Sequence, residues 1–197
     1  MKERPILFSS EMVRAILDGR KTQTRLVVKP QPETSFPFAK CIKWGEMESD
    51  RGIWGVPGWG TSVRRCPYGQ PGDCLWVRET WCPTMDGAEV AYYKATIDQQ
   101  IVKGPKWKPS IHMPRWASRI ALEVTGVRVE RVQDISEGDA IAEGIEPHFA
   151  AIAEMSHDAI SPESEFALLW DSINAKRGYS WDSNPWVWVV EFKVLNG

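Results

Sequence analysis

Two side chains three residues apart, Lys21 and Thr24, are the first in this chain whose types could do chemistry together. A threonine hydroxyl attacks a carbonyl only when a base takes its proton, and a lysine is such a base only while its amine is neutral. Arg20 and Arg25 flank the pair. Like charges that close disfavour a further charge at Lys21, whereas a carboxylate brought in from elsewhere favours one. Taken alone, the cation- and threonine-rich segment reads equally as a solvated connection between two elements.

What must hold these residues in place is the helix before them. Ser9 or Ser10 can cap it, Met12, Val13, Ile16 and Leu17 form one apolar face, and Gly19 suits a left-handed exit. Carboxylates that could reach the pair come from further along. Glu79 lies near the end of a β-rich run, Cys74 to Trp81, that follows the turn Gln70-Pro71-Gly72-Asp73. Glu143 closes a short helix that Ser136 caps and that places Ala140 and Ile141 inward.

The chain has 197 residues, a length suited to one domain with a real core. Its 43% hydrophobic and 25% charged residues are ordinary for a globular protein. A net charge of −2 does not suggest a long nucleic-acid partner, yet it hides an asymmetry. Residues 91–119 carry six Lys or Arg against Asp98, and residues 123–165 carry eleven Asp or Glu against Arg128 and Arg131. One basic and one acidic surface are expected.

No apolar run of signal or membrane-spanning length is visible, so a cytoplasmic protein with reduced thiols is expected. Cys41, Cys66, Cys74 and Cys82 contain no C-x-x-C pair. A zinc site from Cys41, Cys66 and Cys82 with a histidine departs from standard spacings, and no metal or cofactor is expected. His112, His148 and His157 lie far apart and read as structural or solvated.

Prolines and glycines punctuate residues 30–69 too often for long regular elements. Trp44, Trp54 and Trp59 there can stack on nucleobases or pin the loop to the body, and the pinning role is favoured. The segment from Lys103 to Trp116, with Trp107 and Trp116 among cations, is the best local case for contact with a phosphate or base. A further short strand is expected around Val90 to Tyr93. Ile120, Leu122 and Val124, then Val127 and Val129 after Thr125-Gly126, argue a bent strand or a strand pair. Residues 161–178 form a helix capped by Ser161, with Pro162 in its first turn, Phe166, Leu169, Trp170 and Ile173 as its core stripe, and Gly178 at its end. The run from Trp186 to Leu195 is a terminal strand buried on both faces in its first half.

Together, Gly19-Arg20-Lys21-Thr22-Gln23-Thr24-Arg25 after an N-terminal helix, a Pro-Gly-Asp-x-Leu-x-Val strand, Ile135-Ser136-Glu137 after a Val-rich strand, and a final Val-Val-Glu-Phe-Lys strand resemble the ASCH domain of the PUA-like superfamily. The resemblance covers most of residues 5–29, 70–79, 118–145 and 186–195. It implies an α+β fold, a small PUA-like mixed β-barrel with packed helices, spanning 1–197 as one domain with loop insertions at 30–69 and 80–117. It also implies hydrolysis of the amide in N(4)-acetylcytidine or related cytosine derivatives by a Lys, Thr and Glu triad through an acyl-threonine. Carried over, the lysine is Lys21, the nucleophile Thr24 and the glutamate Glu143, with Glu137, Glu146 and Glu79 in reserve. Arg20, Arg25 and Glu79 are the candidate substrate-binding residues, and the partner is a modified nucleoside or base acted on by a monomer. The alternatives are an RNA-binding or RNA-cleaving module using the basic 94–119 segment, and a non-catalytic regulator that recognises a nucleotide in the same groove.

Overall fold

A computed structural model describes residues 1–31, 65–84, 90–97, 106–146 and 161–195. Among the described residues, seven strands run in chain order: β1 (Glu3–Leu7), β2 (Gln23–Val27), β3 (Cys74–Arg78), β4 (Trp81–Pro83), β5 (Ala91–Tyr93), β6 (Ala121–Arg131) and β7 (Trp186–Leu195). Three α-helices accompany them among the same residues: α1 (Ser10–Leu17), α2 (Glu137–Ala142) and α3 (Pro162–Asn174). Five strands form one sheet in the order β1-β3-β6-β7-β2, and β4 pairs with β5 separately. β1 lies parallel to β3, and the other neighbours in the sheet are antiparallel.

The period-2 alternation of side chains along β7 explains why its first half is apolar throughout. Trp186, Trp188, Val190 and Phe192 enter a core with Ile6, Leu75, Leu122 and, from α1, Val13 and Ile16. Val187 and Val189 enter a second core with Val132, Ala140 and, from α3, Phe166 and Trp170. Helices thus cover both faces of this strand, as its continuous hydrophobic run predicts. β6 is one strand bent by a bulge: Val124 pairs with Phe192 while Gly126 pairs with Glu191. The extra residue moves the inward set from Leu122 and Val124 to Val127 and Val129, so all four share one core. A side chain at Gly126 would meet Glu191, since a Cβ there would lie 2.4 Å from its carboxylate.

The general α+β class holds, but the sheet is open rather than a closed barrel. β1 and β2 stand at its two edges, with no ladder between them among the described residues. Thr22 donates its N–H to the Ala142 carbonyl, and its own carbonyl accepts from Phe192, so the chain leaving α1 is committed to α2 and β7. The expected helix stripes need similar correction. Leu17 and Ile141 are exposed, because Ala15 and Ala140 take the buried positions of these short helices. On α3, Phe166 and Trp170 are core, whereas Ile173 is 37% exposed and lines a cleft with Leu169.

Of the expected insertions, residues 32–64 lie outside the described residues, and with them Cys41, Trp44, Trp54 and Trp59. Within 80–117, Trp81, Met113 and Ala117 form a small core of their own, with Ala91 and Tyr93 packed on it. Trp116 meets Trp81 edge-on at 5.6 Å yet stays 45% exposed. Among the described residues, no helix is long and apolar enough to cross a membrane.

Candidate functional site

Two helix ends meet at the candidate site. Ser9 caps α1 by accepting the Met12 N–H at 3.3 Å, and Gly19, at φ +74°, turns the chain out of the helix. Both Arg20 and Lys21 donate their N–H groups to the Ala15 carbonyl at 2.9 Å, which fixes the backbone under Lys21. On the other side Ser136 caps α2, accepting the Asp139 N–H at 3.2 Å, and Glu143 is the residue that ends it. The backbones of Lys21 and Glu143 then form an isolated antiparallel bridge.

That bridge brings the side chains together. Lys21 Nζ donates to the Glu143 carboxylate at 2.7 Å and to the Glu143 carbonyl at 2.7 Å. The Lys21 side chain is fully buried and that of Glu143 is 4% exposed. An ion taken from water at this depth costs several kcal/mol unless paired and hydrogen-bonded, so each group requires the other. The Phe8 ring closes the space on another side, with Nζ 5.8 Å from its centroid.

Gly144 makes the approach possible. It sits at φ +92°, and a Cβ there would lie 2.9 Å from Ala15 Cβ and 3.2 Å from Lys21 Cβ. Gly144→Ala is therefore expected to lower stability by about 1–3 kcal/mol from backbone strain alone. Urea unfolding of the variant checks this, and a loss of under half a kcal/mol would mean that the bridge tolerates displacement.

Alternation along β2 separates the next residues. Gln23 and Arg25 face α2: Gln23 Nε2 donates to the Asp139 carbonyl at 2.9 Å, and Arg25 Nη1 donates to Glu143 Oε1 at 3.1 Å. Arg25 also donates through Nε to Glu130 at 3.0 Å and through Nη2 to Glu130 and, at 2.9 Å, to Asp139. Four of the five guanidinium hydrogens are thus held by carboxylates, leaving one on Nη1. Arg128 extends the network through Glu130, Asp139 and Glu191. Thr24 lies between Gln23 and Arg25 and lines the cleft. Among the described residues its hydroxyl makes no side-chain hydrogen bond, with Lys21 or any other group.

The network sets a pH response. Burial pushes the Asp139 carboxyl up, but Arg128 and Arg25 outweigh it and hold the group below its ordinary value of 3.8. A carboxyl whose native value is depressed binds its proton more readily when unfolded, so its contribution is complete above about pH 4 and is lost as pH falls through the native value. Asp139→Asn is accordingly expected to flatten the acid limb of the stability profile below pH 4, read by thermal melts from pH 2 to pH 7. An acid limb identical to that of the parent would assign the dependence to other carboxylates.

The cleft has a volume of about 1170 Å³ and runs between the two sheet edges. Pro5 to Ser9 supply one wall, Thr24 to Lys29 another, and Phe166, Leu169, Trp170 and Ile173 an apolar side. Glu143 and Arg25 reach it, and Lys21, bonded to Glu143, is not part of its lining. The other expected site residues lie elsewhere. Arg20 pairs with Asp18 at 3.0 Å and Glu146 at 3.2 Å, and it does not line the cleft. Glu79, also outside the lining, is held at both oxygens by Arg119, at 2.9 and 3.1 Å, and Arg119 stacks 4.0 Å from the Tyr93 ring. That pair ties β5 to the sheet instead of addressing the cleft. Glu137 is exposed in the first turn of α2.

Sequence reasoning missed Arg128, Glu130 and Asp139. The i, i+2 spacing of Arg128 and Glu130, on the strand face opposite Val127 and Val129, is the signal that could have found them. The thiols of Cys66, Cys74 and Cys82 are buried, and burial pushes that of Cys66 up to about 11. Among the described residues no cluster of three His, Cys, Asp or Glu could hold a metal ion, and His112 is exposed. Cys41, His148 and His157 lie outside the described residues.

What the site offers chemically is a hydroxyl that lines a cleft, and a buried amine–carboxylate pair that Arg25 holds in register with four of its five hydrogens. No protein-family model, curated protein or solved structure matches this chain.

Proposed function

We propose that this chain is an ASCH-type amidohydrolase that cleaves the N(4)-acyl amide of acetylated cytidine or a related cytosine derivative. The observation that supports it most is that Glu143, which holds the Lys21 amine at 2.7 Å from a distant part of the chain, lines the same cleft as Thr24. In this reading Lys21, an ammonium paired with Glu143 at rest, has released a proton to solvent before attack begins. The Thr24 oxygen bonds to the amide carbonyl carbon, the carbonyl π pair moves to its oxygen, and Lys21 takes the hydroxyl proton. Collapse of the adduct breaks the C–N bond, and Lys21 returns the proton to the departing amine. Water then adds to the acyl-threonine with Lys21 again as base, releasing the acid and restoring Thr24.

Glu143 orients the amine and balances its charge whenever it is protonated. Arg25 is the cleft-lining arginine bonded to Glu143, and its remaining Nη1 hydrogen is the donor available to the oxyanion, a contact worth about 3 kcal/mol where single donors have been removed. Thr24 and Lys21 must meet when substrate binds, as catalytic hydrogen bonds often tighten only in the substrate complex. The same reading takes the open sheet, with α1 joining its edges, as the core of a PUA-like domain acting as a cytoplasmic monomer.

The test is the ultraviolet change on mixing the protein with N(4)-acetylcytidine. Release of cytidine by the parent and by Thr24→Ser, and not by Thr24→Val, supports an acyl-threonine route. Absence of turnover by folded parent protein removes this substrate from consideration.

A further inference from the structure

The cleft is larger than the proposed chemistry at Thr24 requires. Ligand pockets for small molecules usually measure roughly 300–1,000 Å³, and this one reaches about 1170 Å³. Thr24 lies at one end of its second wall and Lys29 at the other, five residues on. At the rise of an extended chain that is at most roughly 16 Å, since the strand itself ends at Val27. The far end is basic. Lys29 holds its ammonium 5.3 Å from the centroid of Tyr179, and Arg177 stands two residues before that tyrosine. Arg65 lines the same cleft. Arg65 and Arg177 are exposed, and neither makes a salt bridge or side-chain hydrogen bond among the described residues. Against Arg65 and Arg177, the lining carries one acid among the described residues, Glu143, whose oxygens are already taken by Lys21 and Arg25.

We infer that the far end of the cleft is a phosphate subsite, and that the ligand is a phosphorylated cytosine nucleotide lying with its base toward Thr24 and its phosphates toward Arg177 and Arg65. An arginine guanidinium presents paired donors that match phosphate oxygens, and the apolar face of Phe166, Leu169 and Ile173 between the two ends suits a base and sugar. This deepens the amidohydrolase reading, because it names the form of the substrate.

The experiment is titration calorimetry on Thr24→Val protein, in which binding is separated from turnover, with cytidine, CTP, inorganic tripolyphosphate and a short 5′-phosphorylated oligocytidine. CTP is expected to bind at least about tenfold more tightly than cytidine, and tripolyphosphate to compete with it. Arg65→Ala/Arg177→Ala is expected to bring CTP down to the affinity of cytidine, while Lys193→Ala, which removes a cation paired with Glu123 outside the cleft, leaves the preference intact. Equal affinity for cytidine and CTP overturns the subsite, as does a CTP preference indifferent to the arginines. Tight oligonucleotide binding with weak CTP binding overturns it in favour of a polymer ligand. Arginine-dependent CTP binding by a protein whose parent form hydrolyses no N(4)-acylated cytidine or nucleotide leaves the subsite standing and removes the amidohydrolase reading alone.

Discussion

Thr24→Val is expected to reduce turnover of N(4)-acetylcytidine at least about a thousandfold, because it removes the only atom assigned to form the acyl bond. The substitution is nearly isosteric. Thr24 is 5% exposed and makes no side-chain hydrogen bond among the described residues, so valine strands no buried partner and should change stability by less than about 1 kcal/mol. Loss of activity without loss of fold is the signature sought, read by steady-state kinetics beside urea unfolding. Thr24→Ser sharpens it. A serine keeps the nucleophile while dropping one methyl against the cleft wall, and should retain activity within about a hundredfold, with transient acyl-enzyme detectable by mass spectrometry of the quenched reaction. If valine proves as active as threonine, no covalent step passes through residue 24, and Lys21 and Glu143 would have to activate water directly.

Why Thr24 was legible in the sequence, and other parts of the site were not, follows from how far each depends on distant contacts. The cap at Ser9, the stop at Gly19 and the cations after it are local, so the placement of Lys21 at a helix exit could be read from a few consecutive residues. The same holds for Glu143, fixed at the end of a helix that Ser136 starts. That the two meet across 122 residues is a tertiary fact, and the sequence argument reached it only through resemblance. Arg25 shows the converse. Its position was evident, but its role depends on Glu130, Asp139 and Glu143, which commit four of its hydrogens.

Hydrophobic pattern behaved in the same way. The inward set of β6 changes parity after Val124, and the bulge could be anticipated from Thr125-Gly126. On α3 the stripe of Phe166, Leu169, Trp170 and Ile173 is real and all of it lines the cleft, yet only Phe166 and Trp170 are also core, because residues lining an apolar cleft carry the same spacing as residues lining a core. Closure of the sheet was the least legible feature. It depends on whether β1 and β2 pair, a matter of backbone hydrogen bonds that leave no trace in side-chain identity.

The largest stability effect is expected at the buried pair, and it is asymmetric. Glu143→Leu leaves the Lys21 ammonium with one backbone carbonyl, and leaves Arg25 short of an acceptor, so a loss of about 3–5 kcal/mol is expected. Lys21→Met is milder, about 1–3 kcal/mol, because Glu143 keeps Arg25 as a partner and the methionine fills most of the space against Phe8. Combining the two removes both charges, and the double variant should be more stable than the sum of the single losses predicts, by about 0.5–3 kcal/mol. Urea unfolding of the four proteins closes the cycle. Strict additivity would mean that Lys21 and Glu143 do not depend on each other for burial. Kinetics on the same set separates structure from chemistry. A Lys21→Met protein that is folded but inactive assigns the amine a part in the reaction, since a purely structural lysine replaced at modest cost in stability would leave turnover in proportion to the folded fraction.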